Sequence, residues 1–225
     1  GESPYQSPTD MGVNMAGNCI FDDEAVSDAS RREIVRRYYQ AMCDLRTGRG
    51  EESAVAKIEL LMNKAEITVD INPTVAASLR KAEETGMPAV AIELPDGQVI
   101  TGKTSSLLGA SSAALLNALK VLAGLDDSLH LIAPEVIEPI QHLKVSHLGN
   151  HNPRLHTDET LIALSISAVT DPNAERAMEH LAELSGCDAH STVILSQVDT
   201  DVFRKLGVNM SCEPRYQTKK LYHKR

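Results

Sequence analysis

The chain has 225 residues, 42% of them hydrophobic with regular Gly and Pro punctuation, which sets it among folded globular proteins rather than disordered tails. A formal net charge of −9 argues against a nucleic-acid surface as its main business, because affinity for a polyanion is drawn from Lys and Arg contacts to phosphate. Aromatic residues make up 3% and Trp is absent, so the core is expected to be built from Ala, Val, Ile and Leu, an inventory that suits helix-rich packing.

Residues 1–21 are rich in Pro, Gly, Ser and Asn and read as an irregular arm. From about Asp22 to Leu45 apolar positions recur near helical spacing, with acids early and arginines late, as the helix dipole prefers. A second helix, about Glu52 to Ala65, places Val55, Ile58, Leu61 and Met62 on one stripe. A third starts at Pro73, a favoured first-turn residue, and stops at Gly86. Residues 22–86 therefore read as a helical subdomain and 87–225 as an α/β subdomain.

The second part opens with two short apolar runs, Ala89–Leu94 and Gln98–Thr101, flanking Pro95-Asp96-Gly97, which is hairpin chemistry. A small-residue helix, about Ser111 to Ala123, is closed by Gly124. Pro134 and Pro139 bracket a helix start that runs on to His147, and a His- and Asn-rich loop, Gly149 to His156, interrupts the chain. Thr157 or Asp158 caps a helix through about Val169, and Asp171-Pro172 restarts another through about Leu184, stopped by Gly186. Ser191 to Val198 reads as a buried strand, followed by a short helix ending at Gly207, a strand at Val208 to Cys212 and a basic tail.

Cys19, Cys43, Cys187 and Cys212 show no CxxC spacing, which signals neither a disulfide framework nor a zinc ribbon and fits a reducing cytoplasm. No apolar run approaches the roughly 20 residues a membrane span needs. The first residue is Gly rather than Met, which reads as a fragment or processed chain lacking a preceding domain.

Two blocks are unusually specific, Ser7-Pro8-Thr9-Asp10-Met11-Gly12-Val13-Asn14-Met15 and Gly186-Cys187-Asp188-Ala189-His190-Ser191-Thr192-Val193-Ile194-Leu195-Ser196. With Arg36-Arg37-Tyr38-Tyr39, Gly102-Lys103-Thr104-Ser105 and the closing Cys212 to His223 segment, the sequence resembles the domain of unknown function 1846 family, a bacterial group of larger proteins. The resemblance runs from Pro4 to the end and implies the C-terminal half of such a protein, with the N-terminal half as partner. It further implies a three-layer α/β sandwich with cytidine-deaminase-like topology behind the helical subdomain. The deaminase signature, His-x-Glu followed by Pro-Cys-x-x-Cys, is absent, so the chemistry does not follow from the topology.

Three polar segments are candidates for a site. Gly97 to Thr104 matches the phosphate-loop pattern G-x-x-x-x-G-K-[ST], but its interior is β-branched and Gly97 belongs to a turn, so it reads as the outgoing hairpin strand. Gly102, Lys103, Thr104 and Ser105, ahead of Gly109-Ala110-Ser111-Ser112 and a helix N-terminus, suit a small anion, with helix capping as the plainer role. The loop through His147, His151 and His156 supplies imidazoles for proton transfer and Arg154 for an anion. Its spacing matches no standard metal motif, and no metal ligand set is assigned. Cys187 and His190, at a strand entry, pair a thiol with an imidazole, although alternate residues of a strand face opposite ways and a buried inert Cys is the simpler state.

The residues name no cofactor. They favour an enzyme acting on a small anionic molecule, with catalytic candidates His151, His156, Cys187 and His190 and anion-binding candidates Gly102, Lys103, Thr104, Ser105 and Arg154. A regulatory or assembly domain and a metal-dependent hydrolase are the alternatives. A homo-oligomer is expected, with neither nucleic acid nor membrane as partner. Convergence of the three segments on one concave surface separates the enzyme reading from the assembly reading.

Overall fold

In the computed structural model residues 23–217 are described; the arm at 1–21, with its Ser7–Met15 block, and the basic tail beyond 217 lie outside the described residues. The elements run α1 (Asp23–Arg46), α2 (Glu52–Lys64), α3 (Pro73–Thr85), β1 (Ala89–Glu93), β2 (Val99–Lys103), α4 (Ala110–Leu122), α5 (Pro134–His142), α6 (Thr157–Ser167), α7 (Pro172–Glu179), β3 (Asp188–Ser191), α8 (Gln197–Lys205) and β4 (Asn209–Cys212). The fold is mixed α/β around one four-stranded sheet of order β2-β1-β3-β4. In it β1 is antiparallel to both neighbours and β3 is parallel to β4.

Local chemistry sets the boundaries. Asn72 Oδ1 accepts from Thr74 N at 3.2 Å, Pro73 occupies the first turn of α3, and Gly86 ends the helix in the left-handed region at φ 66°. The β1–β2 turn closes through Leu94 N donating to Gln98 O at 2.8 Å, with Gly97 at φ 83°.

The pleat divides the sheet between two cores. Val90, Ile92 and Ala189 point to one face, where they pack with α4, α6, α7 and α8. Ala114, Leu115, Ala118 and Leu119 of α4 are wholly buried there, each leucine contributing about 2 kcal/mol of apolar burial. A smaller core joins Val35 and Tyr39 of α1, Met62 of α2 and Val75 of α3. Helices α1 and α3 lie against the opposite face of the sheet, where His190 and Asp188 point. Arg32 of α1 bonds Glu93 and lies 3.5 Å from Asp188, and Arg36 reaches Asp188 at the same distance.

Three boundaries differ from the sequence reading. The strand expected at Ser191 to Val198 is instead Asp188–Ser191, because the Ser191 hydroxyl donates to Val193 O at 2.7 Å and turns the chain out of the sheet. The apolar run Val193-Ile194-Leu195 then lies half-buried along a loop. The helix expected to reach Leu184 stops at Glu179 and continues as a 3-10 turn, Leu181–Leu184. Pro139, expected to bracket a helix start, lies inside α5, and a π-helical turn, Leu143–His147, follows it.

Candidate active site

Three helices begin at one cavity of about 570 Å³: α4 at Gly109, α6 at His156 and α8 at Ser196. Each helix start brings the positive end of a dipole to the cavity, which favours anions there. Short local bonds hold the walls. Leu155 N donates to Leu107 O at 3.0 Å and Gly109 N to Leu155 O at 3.2 Å, which ties the His-rich loop to the start of α4. The buried Lys144 Nζ, in the π-helical turn, donates to Arg154 O and to Glu159 Oε2, both at 2.6 Å. With both bonds made, the cost of burying that ammonium is offset by its partners.

His156 and Asp199 face each other across this junction. His156 Nδ1 lies 3.1 Å from Asp199 Oδ2, and the same oxygen accepts the Ser196 hydroxyl at 2.7 Å. Asp199 Oδ1 accepts both Thr157 N and Thr157 Oγ1 at 3.0 Å, so the carboxylate also caps α6. Burial pushes Asp199 upward, but the hydrogen bonds from His156, Ser196 and Thr157 outweigh it and hold its pKa below the usual carboxylate range. The hydrogen bond to Asp199 raises the His156 pKa against burial. The His156 side chain is 31% exposed, and with Nδ1 turned to the buried carboxylate, its exposed edge carries Nε2. A carboxylate-oriented imidazole with its far nitrogen open to a cavity is the arrangement that moves protons to and from a bound molecule.

The structure brings some of the sequence candidates to this cavity and not others. His151, Arg154, His156 and Thr104 line it, and Arg154 Nε donates to Ser105 O at 2.6 Å. The Ser105 hydroxyl accepts from Leu107 N and Leu108 N in its own turn. Gly102 faces α4 instead, where a Cβ would come within 2.1 Å of Ala114 N; its role there is to let the helix approach. Lys103 is exposed at the end of β2, outside the cavity lining. Cys187, its thiol donating to Glu183 O at 3.7 Å, lines a separate small cavity beside Arg32 and Asp188. His190 is fully buried on the face toward α1, with Nδ1 2.8 Å from Ser211 Oγ. The three segments thus converge in part: the third reaches the cavity through Val193 to Ser196, not through Cys187 and His190.

Sequence reasoning missed Asp199, Ser196 and Lys144. Asp199 reads as an ordinary first-turn acid of a short helix; its signal was the Ser-x-x-Asp cap pattern at Ser196, hidden inside the run assigned to a strand. Among the described residues no group of three or more His, Cys, Asp or Glu is arranged to hold a metal ion. Nor, among them, is any helix long and apolar enough to cross a membrane.

The sequence patterns of two related domains match the chain. Domain of unknown function DUF1846, C-terminal, covers residues 70–222, and domain of unknown function DUF1846, N-terminal, covers residues 1–66. The chain belongs to the DUF1846 family. Both family domains are represented in it, which corrects the expectation of a C-terminal half alone. A UPF0371 protein of Streptococcus thermophilus is 56% identical over 224 residues, covering all of this chain and 45% of that relative. A UPF0371 protein of Corynebacterium efficiens is 56% identical over 225 residues, and one of Streptococcus pyogenes 55% over 223. The chain therefore spans about half the length of the curated relatives it matches, and their names assign no reaction to the DUF1846 family.

Proposed function

We propose that this DUF1846 chain carries the active site of an enzyme acting on a small anionic molecule, with His156 as the proton-transfer group. The observation that carries the reading is the Asp199–His156 couple, set where three helix N-termini meet one cavity. In this reading Asp199 is the positioning residue that fixes the tautomer and orientation of the ring, Nε2 exchanges a proton with the bound molecule, and Arg154 and the helix starts hold its negative charge. His151, on the same wall, is the second proton-transfer candidate. The metal-dependent hydrolase reading draws no support from the arrangement of the described side chains. The sheet order, with β1 antiparallel to both neighbours, supports the cytidine-deaminase-like topology as a further proposal, tested by superposition on a deaminase domain. The three free cysteines among the described residues support a cytoplasmic setting.

The test is a thermal-shift screen of anionic and neutral metabolites, followed by mass spectrometry of any stabilising compound after incubation. Anionic compounds are expected to stabilise the protein, Arg154→Ala to lose that effect, and His156→Gln to keep binding while abolishing conversion. Stabilisation by neutral compounds alone, or conversion unchanged in His156→Gln, would overturn the reading.

An assembly role is favoured by a different feature. Ile162, Ile166 and Val169, spaced one helical turn apart on α6 and just beyond it, are all exposed, and the remainder of the longer protein is the proposed cover. Hydrogen exchange at α6 in the whole protein and in this chain tests it: protection gained only in the whole protein supports the role.

A further inference from the structure

The starts of α6 and α8 are occupied by side chains of the chain itself, and that of α4 is not. Asp199 accepts from Thr157 N, and Ser196 Oγ from Asp199 N at 3.2 Å, but Gly109 offers no side chain to the first turn of α4. The first bond within that helix is Ala113 N to Gly109 O, which leaves the N–H groups of Ala110, Ser111 and Ser112 without acceptors among the described residues. A helix start alone is not a site. Here two hydroxyls lie on the same wall: Thr104, 2% exposed, and Ser111, 4% exposed, both lining the cavity. Neither hydroxyl has a hydrogen-bond partner among the described residues, and neither oxygen is among the fully enclosed unpartnered atoms, so each opens onto the cavity that its residue lines. Their open donors belong to the cavity wall, and no described residue answers them.

We infer that this wall is the seat of a phosphoryl group, and that the molecule acted on is a small phosphate monoester. The inference rests on the catalytic reading of the same cavity. Three N–H groups and two hydroxyls make five donors, and Arg154 adds a cation from the facing loop. A carboxylate presents two oxygens, with room for about four such bonds in one plane; a phosphate monoester presents three terminal oxygens in a pyramid and takes up all five. The carboxylates around the cavity do not fill the seat. Asp199 is engaged by His156 and Thr157, Glu159 by Lys144 and His156 N, and Asp158 Oδ1 by Glu159 N at 2.8 Å. Charge on the lining is therefore close to balanced, and the preference for phosphate comes from directed donors and the α4 dipole.

Calorimetric titration of the chain with inorganic phosphate and glycerol 3-phosphate, against acetate and glycerate, tests the seat. Both phosphate probes are expected to bind more tightly than their carboxylate counterparts. Thr104→Val and Ser111→Ala should each weaken phosphate about tenfold, whereas His156→Gln should stay within about threefold of the parent. If either hydroxyl variant fails to fold, the amide signals of Ala110, Ser111 and Ser112 in the unaltered chain supply the answer: they shift with phosphate if the seat is real and stay still if it is not. Equal or tighter binding of the carboxylates, or phosphate affinity unchanged in folded Thr104→Val and Ser111→Ala, overturns the inference. His156-dependent conversion of a substrate without phosphate would sink the seat and leave the catalytic reading standing. Phosphate bound at these donors, with conversion indifferent to His156, would do the reverse.

Discussion

The rings of His190 and Tyr39 meet with centroids 4.6 Å apart, joining a residue of the family's C-terminal domain to one of its N-terminal domain. Glu213 Oε1 lies 3.4 Å from His190 Nε2, without the geometry of a directed hydrogen bond. The Glu213 pKa is held low by His190 first and by Tyr39 and Arg215 after it, against burial. His190→Ala removes the centre of this cluster and should cost about 3 kcal/mol. Chemical denaturation measures that loss, and hydrogen exchange should show α1 released more than α4.

The same cluster sets a pH expectation. A carboxylate with a depressed folded pKa contributes stability that is complete above its ordinary range and is lost as pH falls through the folded value. The denaturation midpoint of the parent should therefore drop between pH 6 and 3 more than that of Glu213→Gln. Equal losses in the two proteins would rule out Glu213 as the source.

His156 titrates in the opposite sense. Its pKa is raised, chiefly by the hydrogen bond to Asp199, so the attraction is complete below the ordinary histidine range and is lost as pH rises through the higher folded value. Histidine NMR should place the His156 pKa above the ordinary histidine value, and Asp199→Asn should bring it down. Asp199→Ala also strips Thr157 of its cap and should destabilise the chain by about 2 kcal/mol in denaturant melts.

Gly102→Ala tests the close approach of α4 to β2. The added methyl meets the helix backbone, which cannot move aside as a flexible side chain would, and the cost should be at least about 3 kcal/mol in thermal or denaturant unfolding. Lys103→Ala, one residue on and exposed, should leave stability within about 0.5 kcal/mol.

Denatured, non-reduced protein should titrate as four free thiols. In the folded chain Cys43, pushed up to about 12 by burial, and Cys212, pushed up to about 11, should react slowly with a thiol reagent at pH 8.

Much of the fold was legible because its signals are local. The Asn72-Pro73 start and Gly86 stop of α3 and the Pro95-Asp96-Gly97 turn are written in neighbouring residues. Strand β3 was misplaced because Val193-Ile194-Leu195 has strand composition, while what ends the strand is the Ser191 hydroxyl turning back on Val193. The site was legible at the His-rich loop, whose polarity stands out in one dimension. Asp199 was not, because 43 residues separate it from His156 and only the folded chain places them together. Cys187 and His190 look like one reactive unit in sequence, yet the pleat and the strand ends send them to different surroundings.

The two sides of the sheet carry different burdens. Every residue lining the main cavity falls between Pro88 and Gln217, whereas α1 and α3 lie against the reverse side and α2 packs on α1. Substitutions on that side act on the cavity at second hand, through the sheet and through the Tyr216 hydroxyl that donates to Arg46 O at 3.2 Å, and packed elements resist such shifts. The reverse side therefore sets how firmly the sheet is backed, and the front sets the shape of the cavity.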